Sequence, residues 1–374
     1  MKTHLTLCIF LLSVNFLLQA QQNTKNYEFI DNFSEGLSAV YLHGNWGFID
    51  KNCNEVIPCM YEQAAEFHDG LAAAKLNGKW GIIDKAGKQI TPFKYERTMF
   101  YDFNEGFIGM LWNGKCVLID KKGQEFFPAK YDYIGKFRDG ISLVSLNRKY
   151  GFIDNKGNEI ISLQYDELSP FVEGLAPAKQ NGKYGFIDKK GKTIIEFEFT
   201  DAYGFNNDEA AVMQSGKWGI IDKKGKMVFP FKHDEAFSFS GGIAWVKING
   251  NYELINKKGN KITEFHYHEI NSFEDGVAAV KYDGKWGFIN KSGTVVIELK
   301  YKRGDAPYSQ ETPIFYEGLC ALELNGKWGF VDKTGREVIP FIYDRAWSFS
   351  EGYATVKLNG EFFLIDKKGK RVCR

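Results

Sequence analysis

Cysteine and proline are scarce in this chain, at six and nine residues, and neither sign of charge is in excess. Cys8 falls in an apolar leader, and the other cysteines (Cys53, Cys59, Cys116, Cys320 and Cys373) are odd in number and irregularly placed. That excludes a disulfide framework as the source of the fold, although Cys53 and Cys59 could pair locally. Removing Lys2 with the leader takes the 48 basic residues to 47, equal to the 47 acidic ones. A balanced surface argues against nucleic acid or anionic lipid as the main partner. No segment after the leader approaches membrane-crossing length, and none keeps a helical spacing. The motifs of common catalysts are missing too. There is no His-Glu-x-x-His, no Gly-x-Ser-x-Gly, and no glycine-rich phosphate loop before a helix. No cofactor is expected.

What is present is an N-terminal leader, then many aromatic residues and glycines. Met1-Lys2 opens a short basic region, Leu5 to Leu18 is largely apolar, and Leu18-Gln19-Ala20 offers a small residue before Gln21-Gln22. Residues 1–20 read as a secretory signal cleaved after Ala20, which places the mature chain, 21–374, in the periplasm, at the cell envelope or outside the cell. Aromatics reach 16%, and 39 glycines suit short strands joined by tight turns.

Those residues recur at a fixed period. Trp46, Trp80, Cys116, Tyr150, Tyr184, Trp218, Tyr252, Trp286, Trp328 and Phe362 form one column, spaced by 34 residues except for one step of 36 and one of 42. Thirteen residues before each stands a phenylalanine: Phe33, Phe67, Phe103, Phe137, Phe171, Phe205, Phe239, Phe273, Phe315 and Phe349. Self-similarity at this period is the signature of a repeat architecture. The longer steps locate two insertions, around Met99–Tyr101 and within 302–314, and loops that tolerate insertion tend to carry function.

One unit reads as a three-stranded antiparallel meander. Gly70 to Leu76 forms a strand, Asn77-Gly78 a type I′ hairpin turn, Lys79 to Asp84 a second strand, and Lys88 towards Glu96 a third. Asp84 to Gly87 has the Asp-first, Gly-fourth pattern of a type I turn. A unit of about 34 residues cannot bury a sufficient core alone, so neighbouring copies must complete one another. The chain begins and ends inside the third strand, and its two ends together would supply about one extra strand, as in strand-swapped propellers. Ten units exceed the usual four to eight blades. The expectation is therefore all-β, ten repeats in an open or spiral solenoid, with a closed β-propeller-like ring as the alternative.

Asn77-Gly-Lys-Trp-Gly-Ile-Ile-Asp-Lys-Ala-Gly87 and Asn325-Gly-Lys-Trp-Gly-Phe-Val-Asp-Lys-Thr-Gly335 resemble the bacterial WG-repeat (KWG-repeat) family over essentially the whole mature chain. The third and tenth units lack the Trp-Gly pair. The resemblance implies a β-repeat with an interaction role and no reaction. The Asn-Gly-Lys-Trp segment is also similar to the hairpins of choline- and cell-wall-binding repeats.

Candidate sites follow from these columns. Trp46, Trp80, Trp218, Trp286 and Trp328 could stack on sugars of a cell-envelope glycan, or could pack between repeats, which Cys116 and Phe362 at the same place favour. The Asp50, Asp84, Asp120 column suits turn capping better than calcium. His266 and His268 alternate onto one strand face, and His233 with Asp234 lies one unit earlier, a set that zinc would accept. Arg303, Asp305 and Tyr308 in the long insertion are candidate contacts. The leading expectation is a secreted, non-catalytic scaffold for a protein partner, with a glycan-binding module as the alternative.

Overall fold

The structure is a computed structural model that describes residues 26–126, 129–237, 242–263, 265–302 and 312–373. The leader, and Arg303, Asp305 and Tyr308, lie outside the described residues.

The first repeat forms β1 (Phe29–Ser34), β2 (Leu37–Leu42), β3 (Asn45–Asp50) and β4 (Glu55–Tyr61), hydrogen-bonded in that order as one antiparallel sheet. Nine similar sheets follow, and among the described residues six of the ten show four strands. The unit is thus four-stranded, one strand more than its sequence pattern suggests. The extra strand is only two residues long in the later units, as in Tyr133–Ile134 pairing with Ile141–Leu146, too short to leave a period-2 signal. The expected turns form. Asn77 and Gly78 have φ of 51° and 74°, and Gly87 N donates to Asp84 O at 2.9 Å. The aspartate column caps that turn: Ala86 N and Lys88 N donate to Asp84 Oδ1 at 3.0 and 2.9 Å.

The Trp-Gly pair has a steric origin. β4 is bulged against β3, with the register Trp46↔Tyr61, Phe48↔Ile57 and Ile49↔Glu55. The bulge presses the Ile57 carbonyl onto Gly47, where a Cβ would lie 2.5 Å from that oxygen. Gly151 meets Ile161 O at 2.4 Å and Gly287 meets Ile297 O at 2.6 Å in the same way. Val117 and Glu253 hold this position in the third and seventh repeats, where the fourth strand is reduced to bridges such as Ile119↔Glu125 and Ile255↔Lys261. The second repeat, however, has only such bridges beside Gly81, and the tenth keeps its edge strand beside Phe363. At Gly47, Gly151 and Gly287 the missing side chain lets the edge-strand carbonyl approach this closely.

The hydrophobic core lies between sheets. Leu37, Phe48, Ile57 and Tyr61 of the first sheet cluster with Phe67, Ala72 and Ile83 of the second, and Phe48 packs edge-on against Phe67 at 4.7 Å. The pairs Phe152–Phe171, Phe186–Phe205 and Phe330–Phe349 repeat that contact at 4.7, 4.9 and 4.9 Å. The Phe column therefore serves the neighbour's core, as a sub-40-residue unit requires.

The same interface joins the last sheet to the first. Tyr27, Ile30, Phe33, Val40 and Ile49 cluster with Leu364. Ser350 Oγ donates to Phe33 O at 2.8 Å, and Thr355 Oγ1 donates to Ile30 O at 3.0 Å. The array is a closed ring of ten blades, and the open solenoid is corrected. Strand exchange is not the means of closure either, since the first blade draws its strands from residues 29–61 and the last from 345–373. Side-chain packing across the seam, repeated from the other interfaces, closes it.

A belt of charges follows the ring. Lys85, Lys121, Lys189, Lys223, Lys333 and Lys367 each reach an acid of the preceding blade, respectively Glu35, Asp69, Asp139, Glu173, Asp275 and Glu317, at 2.6–3.2 Å. Lys51 and Glu351 complete it across the seam at 2.9 Å. Burial opposes the Glu351 carboxylate, but Lys51 and the Gly36 amide outweigh it and hold its pKa below the ordinary value. Cys53 is disulfide-bonded while Cys59 keeps its thiol, so the local pairing of these two is not made. Cys53 Sγ lies 3.9 Å from Val372 O of the last blade, and Cys59 Sγ faces Val40 O, so the two side chains serve different contacts.

Candidate functional site

The tryptophan column is largely interior. Trp80, Trp218, Trp286 and Trp328 are buried and Trp46 is half-buried. Each faces the fourth-strand residue of its own blade, as in Trp286↔Tyr301 and Trp328↔Tyr343. Cys116 is fully buried at the same position. Four of the five indoles are therefore packed among neighbours, and Trp46 alone of the five is partly exposed.

The histidine set is dispersed. His233 stands where other blades place Tyr61, Tyr165 or Phe199, is 5% exposed, and stacks on Phe229 at 5.1 Å. Neither ring nitrogen has a hydrogen-bond partner. Burial, followed by Lys232 nearby, pushes its pKa below the usual histidine value. Asp234 is exposed, accepting from Lys217 Nζ and Asn249 N at 2.8 Å each. His266 Nδ1 lies 2.7 Å from Glu253 Oε1, and His268 stacks on Tyr282 at 5.8 Å. Among the described residues, no three potential metal ligands converge.

The site that residue-by-residue reading missed is a cleft of about 350 Å³ where the third, fourth and fifth blades meet. Its walls include Met99, Phe100, Tyr133, Gly135, Phe152 and Phe171, with Lys136, Arg138 and Asp139 at its rim. The short insertion builds one side. Inserted Phe100 lies over Gly109, where a Cβ would stand 2.7 Å from the ring, and Thr98 Oγ1 donates to Phe100 O. Gly135 opens the other side. Its N–H donates to Leu143 O as Tyr203 N–H donates to Ala211 O and Phe237 N–H to Trp245 O, so these three positions are equivalent. In the sixth blade Tyr203 fills the place and stacks on Trp218 at 4.7 Å and on Phe237 at 6.1 Å. The part of the signal available in the sequence was the insertion itself, since the Gly135 position varies from Ala65 and Ser169 to Tyr203 and Trp347 along the chain.

The rim charges are unequal. Lys136 pairs with Asp102 at 2.6 Å and Asp139 with Lys189 at 3.2 Å. Arg138 forms no ion pair among the described residues, its recorded bonds being the backbone pair with Ile141. The cleft therefore offers aromatic walls and one uncommitted guanidinium.

Ten wedge-like antiparallel sheets closed on themselves, each sharing its core with the next, define a β-propeller. Ten successive matches to the WG containing repeat tile the chain from residues 24–46 to 328–362. The chain belongs to the WG-repeat family. No curated protein matches it in sequence. Among solved structures, a crystal structure of the eukaryotic initiation factor is similar with a TM-score of 0.52 at 13% identity, over 81% of this chain and 94% of that one. That likeness shows the fold alone. The extracellular domain of a putative hybrid two component system from B. thetaiotaomicron matches at TM-score 0.25 and 10% identity, over 91% of this chain and 56% of that one. PorZ, a surface component of the type-IX secretion system of Porphyromonas gingivalis, matches at 0.28 and 11%, over 93% and 52%. No helix among the described residues is long and apolar enough to cross a membrane.

Proposed function

We propose that this chain is an exported, non-catalytic scaffold that holds a protein partner on the part of the ring where its two insertions fall. One observation carries the reading. Both departures from the 34-residue period occur at the same point of the unit, and the described one, while packing against the core, also walls an open, aromatic-lined cleft. A rigid ring with variable loops at one position is a common way to build a recognition surface. The buried tryptophans weigh against the glycan alternative on that column.

The test is affinity capture from an envelope extract, followed by binding of the purified captured protein to the ring and to a variant lacking the eight extra residues of 302–314. Loss of binding by a variant that keeps its melting temperature supports the scaffold. Equal binding by both proteins rejects the assignment to the long insertion. A turnover found in a broad substrate screen and abolished by one substitution rejects the non-catalytic reading.

A further inference from the structure

We infer that the cleft between the third, fourth and fifth blades binds the free carboxyl-terminal residue of a polypeptide whose last side chain is aromatic or large and apolar. This rests on the scaffold reading and names the chemistry of one contact. A volume of about 350 Å³ lies within the range of small-ligand pockets, roughly 300–1,000 Å³, and accommodates one large side chain. The walls supplied by Phe100, Tyr133, Phe152 and Phe171 suit an aromatic ring, which gains from offset or edge-on contact with them.

The charge pattern selects the other half of the ligand. The lysine and the aspartate at the rim are neutralised by Asp102 and Lys189, so the cleft's one uncommitted charge is the Arg138 guanidinium. A guanidinium is a planar fork of donors matched to a carboxylate. An apolar group beside a carboxylate is what a chain terminus presents, and a free aromatic acid shares that chemistry. The position of Arg138 is held by Ser34, His68, Asn104, Val172, Asn206, Ser240, Glu274, Tyr316 and Ser350 elsewhere, so arginine stands there in this blade alone. The Gly135 position ranges from Ala65 and Ser169 to Tyr203, Phe237 and Trp347.

The experiment uses the full mature chain and three probes: an N-acetylated hexapeptide ending in free phenylalanine, the same peptide as its carboxamide, and N-acetylphenylalanine. Titration followed by NMR or calorimetry is expected to give a Kd on the order of 0.1–1 mM for the acid peptide, since a single pocket contributes few atoms. Arg138→Gln should weaken it about 10-fold by removing a charge-assisted contact. Gly135→Tyr, which copies the sixth blade, should abolish it, while Lys217→Gln, outside the cleft lining, should leave it unchanged. Equal affinity for the carboxamide overturns carboxylate recognition, as does Arg138→Gln binding at wild-type strength. Binding of N-acetylphenylalanine without the peptide overturns the polypeptide source and leaves a small aromatic acid as the ligand. No saturation by any probe at 5 mM (about five times the weakest expected Kd) overturns the site. If partner capture persists in that last case, the scaffold reading stands without it, and if capture fails while the acid peptide binds, the cleft stands and the scaffold falls.

Discussion

Replacing Gly151 by alanine tests the steric account of the Trp-Gly pair, because two opposite effects compete and the clash decides the sign. Gly151 does not have positive φ, so alanine is permitted by the backbone. Where space allows, such a change stabilises a protein by about 0.4–1 kcal/mol through the unfolded chain. Here the new Cβ would stand 2.4 Å from Ile161 O and 2.9 Å from the Ser162 carbonyl carbon. An ordinary contact begins near 3.4 Å, so the fourth strand must retreat by about 1 Å, a displacement of the overpacking kind. Overpacking costs typically 1–3 kcal/mol, which leaves a net loss of roughly 0–2.6 kcal/mol after the unfolded-chain gain. Gly204→Ala is the control. Its Cβ would meet only Val172 at 3.8 Å, and it should be neutral or slightly stabilising. Urea unfolding gives the two signs, and amide exchange over Glu159–Tyr165 should quicken in Gly151→Ala alone. If Gly151→Ala proves as stable as the control, with exchange unchanged, the edge strand does not depend on glycine and the explanation is wrong.

His233 predicts an acid-sensitive blade: its folded pKa is depressed, so its contribution is complete above the ordinary histidine value and is lost as pH falls below it; melting between pH 7 and 5 should show a fall that His233→Phe, copying Phe199, removes. Phe67→Ala empties a fully buried site in the first interface and should cost roughly 3–5 kcal/mol in urea unfolding, whereas truncating Lys85 in the exposed belt should cost at most about 1 kcal/mol. Thr355→Val leaves the buried Ile30 carbonyl without its donor and should cost about 1–3 kcal/mol, read as a lowered unfolding midpoint. Peptide mapping after denaturation without reductant should find Cys59, Cys116 and Cys320 alkylated and Cys53 protected.

Much of the blade was legible because its determinants are local. Asn77-Gly78 requires a type I′ turn and Asp84 with Gly87 a type I turn whatever surrounds them, and the Phe column marks positions such as Phe33, Phe67, Phe137, Phe205 and Phe349 that are buried. The two-residue first strand was not legible, since its pairing is set by the chain crossing to the next blade, as when Glu62 N–H donates to Lys75 O. The candidate site was half legible. The insertion at Met99–Tyr101 stood out by spacing, but its meaning depends on Gly135 and Arg138 of the following blade, which only the fold brings beside it. The histidines misled for the converse reason: alternation puts His266 and His268 on one strand face, yet Glu253 and Tyr282 engage them separately.

Closure of the ring illustrates how a global property can reside in matched columns. Ser34 Oγ donates to Phe67 O at 2.6 Å inside the array, and Ser350 Oγ donates to Phe33 O across the seam. Glu35 accepts from Gly70 N and pairs with Lys85, while Glu351 accepts from Gly36 N and pairs with Lys51. The seam thus reproduces these bonds of the first interface, and adds the one from Thr355 to Ile30, for which Ala39 offers no equivalent. In an open array the first blade would expose Phe33 and Ile30, and the last would expose the face around Leu364, all of them nearly fully buried here. A solenoid normally protects such ends with polar capping repeats. The terminal blades instead keep the interior residue types of their neighbours, and two complementary unpaired faces on one chain lower their free energy by meeting. Blade number is then set by how many repeats the interface angle needs to return to its start, a quantity carried by packing at every interface and by no single motif.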